Sequence, residues 1–131
     1  MSEANNQAPK NLIDIVTFNV TATQTIDGGI IPWINLGKAN EEILNLIDAD
    51  EIVIPEHEVT IAIDYPLSSP KSFHLFSSIG FSRKLLLIEI REQFLSYAKA
   101  ETLNVSAIDL VALDVYKTNS GLIEITLDLD S

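Results

Sequence analysis

The sequence predicts a single α+β domain of two layers, in which one long helix packs on an antiparallel or mixed sheet of about four to five strands. Two segments, 58–64 and 123–129, place apolar residues at every second position, which is typical of half-buried strands. Residues 83–102 hold many strong helix formers and neither Gly nor Pro. With 131 residues, of which 47% are hydrophobic, the chain can bury one core.

The N-terminal third predicts few regular elements. Residues 1–11 are polar and without periodicity, so we expect a disordered leader, followed by the domain at 12–131. The β-branched, apolar run at 12–21 predicts a strand. The apolar run at 30–34 is interrupted by Pro32 and predicts a loop or edge segment. Residues 41–48 predict a short helix, capped by Asn40 and with Glu41 and Glu42 in its first turn.

Two hairpins surround the long helix. Apolar residues alternate at 52–54 and again at 58–64, and residues 58–77 predict a hairpin because Pro66 and Pro70 interrupt the run between two strands. Residues 108–116 and 122–130 predict the second hairpin, with its turn in the polar segment 118–121.

The helix itself is predicted over 82–103, with Ser82 as its N-cap and Asn104 at its end. Its stripe of Leu87, Ile90, Phe94 and Tyr97 follows helical spacing and is expected to face the sheet. Four further apolar residues widen the stripe beyond one face: Leu85, Leu86, Ile88 and Leu95. Either a second layer of the same chain or a partner chain should cover them.

The resulting order is ββαββ. A hairpin that leads directly into a well-capped helix resembles the opening of a β-grasp, or ubiquitin-like, domain over residues 58–103. The resemblance concerns the layout of elements and carries no sequence motif, so it implies an alternative description of the fold and no function.

The acidic charge balance limits the classes of partner. Eight basic residues stand against 19 acidic ones, and a net charge of −11 disfavours nucleic acids and anionic membranes. The N-terminus lacks a secretory signal and no apolar run could span a bilayer, so a cytoplasmic location is expected. Residues 41–64 contain eight acidic side chains and no Lys or Arg, which indicates a solvated face or a docking surface for a basic protein.

Residues that could support enzymatic chemistry are few. Without cysteine, the chain cannot form disulfides or thiolate sites. No calcium-loop or phosphate-loop motif is complete. The alternative of a small hydrolase or metal-dependent enzyme therefore depends on Glu56, His57, Glu58, Asp64 and His74. In a strand, His57 would point away from both glutamates, so we predict no catalytic, metal or cofactor site.

The sequence favours a non-enzymatic interaction or assembly domain. Its partner is predicted to be a protein, most simply a second copy in a two-fold dimer, or else a basic protein, as an inhibitor or immunity protein would bind a basic toxin. The predicted contact surface consists of Trp33, Glu51, Glu56, Glu58, Leu86 and Leu95. Trp33 has two interpretations, an edge of the core or an anchor for the partner.

Overall fold

The computed structural model describes residues 10–21, 29–38 and 43–130. Two predictions lie outside these residues: the disorder of 1–9, and the helix start formed by Asn40, Glu41 and Glu42. Within them the molecule is an α+β fold with one mixed sheet and one α-helix.

Ten strands and one helix are described. The strands are β1 (Lys10–Thr17), β2 (Val20–Thr21), β3 (Ile30–Ile31), β4 (Ile34–Asn35), β5 (Ile52–Ile54), β6 (Glu58–Ile63), β7 (Lys71–Phe76), β8 (Phe81–Ser82), β9 (Asp109–Thr118) and β10 (Ile123–Asp130), and the helix is α1 (Arg83–Ala100). Short 3-10 turns occupy Leu36–Lys38, Ile43–Asn45 and Val105–Ala107.

The main sheet has the order β1-β9-β10-β6-β7, and β4 pairs with β9 as a sixth strand. Neighbours run antiparallel except for β10 and β6, which are parallel, with Ile125 opposite Ile61. The prediction of a mixed sheet is confirmed, with six strands instead of four or five. The order ββαββ is not confirmed, because β1 and β4 also join the sheet by pairing with β9. Two small ladders, β2 with β3 and β5 with β8, complete the described strands.

Two predictions in the N-terminal third are wrong. Lys10 and Asn11, assigned to the leader, begin β1, because their backbones pair with Thr118 and Lys117. In place of a helix to residue 48, the described residues form a single 3-10 turn, Ile43–Asn45. A helix this short gains too few hydrogen bonds to offset its nucleation cost, and Asp48 takes a left-handed φ of 56°.

The start of α1 confirms the capping prediction, whereas its end differs from it. The Ser82 side chain accepts a hydrogen bond from the amide of Leu85 at 3.0 Å. At the other end the amides of Thr102 and Leu103 donate to the carbonyls of Lys99 and Ala98, which is the Schellman pattern. Thr102 therefore adopts a left-handed φ of 55°, and the helix ends at Ala100 instead of residue 103.

The core lies between α1 and one face of the sheet. Helix residues Leu87, Ile90 and Phe94 are fully buried, as are Ile61 of β6 and Ile125 of β10. The strand pairings place a second set of residues on the opposite face, and most of them are half-buried or exposed, with Ala112 as a buried exception. Among the half-buried or exposed residues are Lys10, Leu12, Ile15, Thr60, Ala62, His74, Asp114, Tyr116, Glu124 and Thr126. The described chain thus leaves one face of the sheet in contact with solvent.

We predict that Thr102→Gly raises the free energy of unfolding by about 0.5–1 kcal/mol, because glycine adopts a left-handed φ without the steric cost of a β-branched side chain. Ala100→Gly, two residues earlier and still inside α1, is the matched control and should lower it by about 0.5–1 kcal/mol. Urea unfolding measures both changes. A loss of stability in both variants would contradict this account of the helix end.

Candidate interaction surface

The outer side of β1 is a free edge of the main sheet in the described chain. Strand β1 is eight residues long and pairs with β9 alone. A register shift between Leu12 and Asp14 makes Ile13 a bulge residue. Leu12, Ile13 and Ile15 are 51–52% exposed, which is unusual for large apolar side chains that lie so close together.

Trp33 extends this apolar edge. Thr17 at the end of β1 pairs with Ala112, and Ile34 at the start of β4 pairs with Leu110, so β4 continues the line of β1 along β9. Trp33 immediately precedes Ile34 and therefore lies beside the end of β1. It is 43% exposed, so both interpretations of Trp33, as an edge of the core and as an anchor for a partner, stay predictions. We refer to Leu12, Ile13, Ile15 and Trp33 as the β1 edge.

The opposite edge of the sheet, β7, differs in chemistry. Pro70 precedes it, Lys71 begins it, and both are exposed. Proline and lysine at a free edge discourage the addition of another strand. Strand β1 has no proline, and its lysine, Lys10, is held in an ion pair with Glu124 and over the ring of Tyr116. The amide of Ile15 donates to the Asp14 carboxylate at 2.8 Å, a local contact at this edge.

The helix offers less free apolar surface than its sequence indicated. Leu86 has no exposed surface, so it is removed from the predicted contact surface. Leu85 is half-buried and packs against the core. Ile88 and Leu95 are also half-buried. Much of the wide stripe is covered by the same chain, because buried residues of 46–54 pack in the core beside the helix.

The predicted acidic contacts are dispersed. Glu51 lies before β5 and pairs with Arg83 at 2.9 Å, which neutralises part of its charge. Half-buried Glu56 precedes β6 and exposed Glu58 begins it. Together with Pro55, His57 and Leu122 they line a shallow depression of about 370 Å³. These glutamates share one end of the molecule with the exposed Phe76, which pairs with Glu58.

The residues of the enzymatic alternative do not converge. Glu58 and Asp64 are separated by the length of β6, roughly 20 Å at the usual strand rise. His74 is exposed, its Nδ1 lies 2.9 Å from Thr60 Oγ1, and the strand register places Thr60, not Asp64, opposite it. Among the described residues no cluster of three or more His, Asp or Glu side chains could hold a metal ion.

Arg83 joins three parts of the chain. Its Nε donates to the Thr17 carbonyl at 2.9 Å, and its Nη1 donates to the Asp48 carbonyl at 2.7 Å and to Glu51 Oε1. The side chain therefore ties the end of β1 and the 48–51 turn to the first turn of α1. It is a structural residue that holds β1 against the core.

Comparison with known proteins adds no functional information. No protein-family model, curated protein or solved structure matches the chain. Nor does any helix in the described part of the chain combine the length and apolarity needed to cross a bilayer.

We predict that Arg83→Met lowers the free energy of unfolding by about 1–2 kcal/mol, because two backbone carbonyls lose a charged donor. Glu51→Gln removes only the exposed ion pair and is the control. It should change the free energy of unfolding by less than about 0.5 kcal/mol. Hydrogen exchange should show faster opening of β1 in Arg83→Met alone. Equal effects of the two substitutions would show that the ion pair, and not the bridge to the carbonyls, stabilises this region.

Proposed function

We propose that this protein is a non-enzymatic assembly domain that self-associates through the β1 edge. The observation that carries the proposal is the free edge strand, whose Leu12, Ile13 and Ile15 are each half-exposed beside Trp33. Unpaired backbone donors and acceptors on such an edge favour the addition of a further strand, and the apolar side chains favour its burial.

A second copy of the chain is the occupant that fits this edge most simply. Two β1 strands that pair antiparallel across a two-fold axis would place the same residues of each copy against the other. The two six-stranded sheets would then form one continuous sheet. Tryptophan is enriched among the residues that dominate contact energies, and Trp33 lies beside the strand that would pair.

The acidic composition also favours binding to a basic protein. The effect of salt on the stability of the complex distinguishes such binding from self-association. Two copies with a net charge of −11 repel each other, so added salt should strengthen a dimer held by apolar and backbone contacts. A complex with a basic partner should weaken steeply with salt.

We further propose that the sheet and α1 contain a β-grasp-like core. Strands β6, β7, β9 and β10 run across the sheet in the order β7-β6-β10-β9, with the parallel pair in the centre and α1 between the hairpins in sequence. This order supports a β-grasp-like core to which β1 and β4 are added at the β9 side. The cytoplasmic location and the absence of nucleic-acid partners remain predictions from composition.

We expect the protein to be a dimer in sedimentation experiments. Leu12→Lys should shift it to monomer and raise the dimer dissociation constant about tenfold or more, because a lysine on an edge strand disfavours the addition of another strand. Ile79→Lys is the matched control, since Ile79 is 78% exposed in the loop after β7 and lies outside the β1 edge. The single tryptophan gives a second measurement. When the parent protein or Ile79→Lys associates, the tryptophan emission should shift to shorter wavelength, and dilution should reverse the shift. Leu12→Lys should show no such shift.

A strictly monomeric parent protein at about 1 mM would overturn self-association. If Leu12→Lys and Ile79→Lys weaken the dimer equally, the interface does not lie at β1. A third outcome is a monomer that binds an unrelated peptide as an added strand and loses this binding in Leu12→Lys. The partner of the β1 edge would then be a different protein and not a second copy of the chain.

A further inference from the structure

Three large apolar side chains are exposed at one end of the sheet. Phe76 is 73% exposed, Ile79 is 78% exposed and Leu122 is 57% exposed. Phe76 is the last residue of β7, which is the edge strand on the other side of the sheet from β1. None of the three residues belongs to the β1 edge, so an inference from this surface goes beyond the proposed function.

Strand pairing puts Phe76 and Leu122 on either side of Glu58. Phe76 lies opposite Glu58 in the antiparallel pair of β7 and β6. On the other side of β6, the parallel pair with β10 places Ile123 opposite Val59, so Leu122 lies level with Glu58. Leu122 and Glu58 also line the same shallow depression. An acidic side chain therefore stands between two exposed apolar ones.

The turn after β7 brings Ile79 to the same end of the molecule. The Ser77 amide donates to the His57 carbonyl at 2.8 Å, and the Gly80 amide donates to the Ser77 carbonyl at 3.4 Å. Gly80 has a φ of 86° and packs so closely that a Cβ there would lie 2.8 Å from the Ile54 carbonyl oxygen. The turn is therefore held against the segment between β5 and β6, where Glu56 lies.

The charges beside these apolar side chains are negative. Glu56 and Glu58 line the depression together with His57, and no Lys or Arg lines it. Neither glutamate belongs to an ion pair of the described residues, which are Lys10–Glu124 and Arg83–Glu51. We refer to five residues as the β7 patch: Glu56, Glu58, Phe76, Ile79 and Leu122.

This combination selects the kind of partner. Exposed apolar side chains that are grouped together and bordered by polar ones are typical of a contact with another protein. The two unpaired carboxylates favour an ammonium or guanidinium group at the border of that contact. They disfavour a second copy of this chain, whose net charge is −11. The fitting partner therefore carries both apolar residues and Lys or Arg.

We propose that the β7 patch binds a basic amphipathic segment of another protein. The apolar residues of that segment pack against the three apolar side chains of the patch, and its Lys or Arg side chains pair with the two glutamates. Self-association through the β1 edge leaves the patch free, because β1 and β7 are opposite edges of the main sheet. The two contacts can therefore exist in one assembly.

The probe that tests this is a synthetic amphipathic peptide of leucine and lysine. In one comparison peptide glutamate replaces every lysine, and in the other serine replaces every leucine. The Leu–Lys peptide should bind with a Kd below about 100 µM by calorimetry at low salt, and added salt should weaken it. Each comparison peptide lacks one of the two kinds of contact and should bind at least about tenfold more weakly.

Substitutions at the patch locate the site. Glu58→Gln should weaken binding of the Leu–Lys peptide about fivefold or more, because it removes a carboxylate from the contact. Glu92→Gln is the matched control, since Glu92 is an exposed glutamate on α1, and it should change the affinity by less than about twofold. Phe76→Ser should weaken binding about tenfold. Thermal unfolding without peptide checks that each variant is folded.

Two further substitutions distinguish a failure of this inference from a failure of the dimer proposal. Ile79→Lys places a positive charge in the β7 patch, so it should abolish peptide binding and leave the dimer intact. Leu12→Lys should dissociate the dimer and leave the peptide affinity within about twofold of the parent value, because separate sites act independently.

Four results would overturn the inference. One is the absence of binding with about 1 mM Leu–Lys peptide at low salt. Another is a comparison peptide that binds as tightly as the Leu–Lys peptide. The third is equal weakening by Glu58→Gln and Glu92→Gln, which would show an unspecific attraction to an acidic protein. The fourth is a dimer that Ile79→Lys dissociates and Leu12→Lys does not, which would make a second copy the occupant of the β7 patch.

Discussion

The parallel pairing of β6 with β10 is the constraint on which the rest of this structure depends. It joins the β6–β7 hairpin to the β9–β10 hairpin and brings Val59 and Ile61 beside Ile123 and Ile125, all of them buried. Parallel neighbours cannot be connected by a tight turn, so the chain between them must cross over the sheet. That crossover contains α1, which consequently covers one face of the sheet and supplies much of the core.

Because the helix covers only one face of the sheet, the other face and the β1 edge stay exposed in the described chain. The uncovered face remains polar in its centre, where Thr60, Thr126 and Glu124 lie on neighbouring strands, so it can stay in water. Strand β9 pairs with β10 on one side, and β1 and β4 occupy its other side in line with each other. Leu12, Ile13 and Ile15 of β1 therefore lie at the edge of the sheet, where neither α1 nor another described strand covers them.

Local patterns predicted the elements that depend on local chemistry. Alternation identified β6 and β10, because residues at every second position share a face of any strand. Ser82 identified the start of α1, because a cap is a hydrogen bond within one turn. The end of α1 was missed, because Thr102 is a poor residue for a left-handed conformation and only the surrounding contacts hold it there. Lys10 and Asn11 were missed because their composition is that of a tail, and pairing with β9 makes them a strand.

The amino-acid order alone was sufficient for the α+β class, the helix start and the two hairpins. It could not show which apolar residues are exposed, because exposure depends on which elements lie next to each other. Leu86 and Leu12 are both leucines in apolar runs, yet the first is enclosed by the core and the second lies on a free edge. The same reason applies to Trp33, whose position beside the end of β1 follows from the pairing of β4 with β9. A side chain's partners come from distant parts of the chain, and folding alone determines which parts meet.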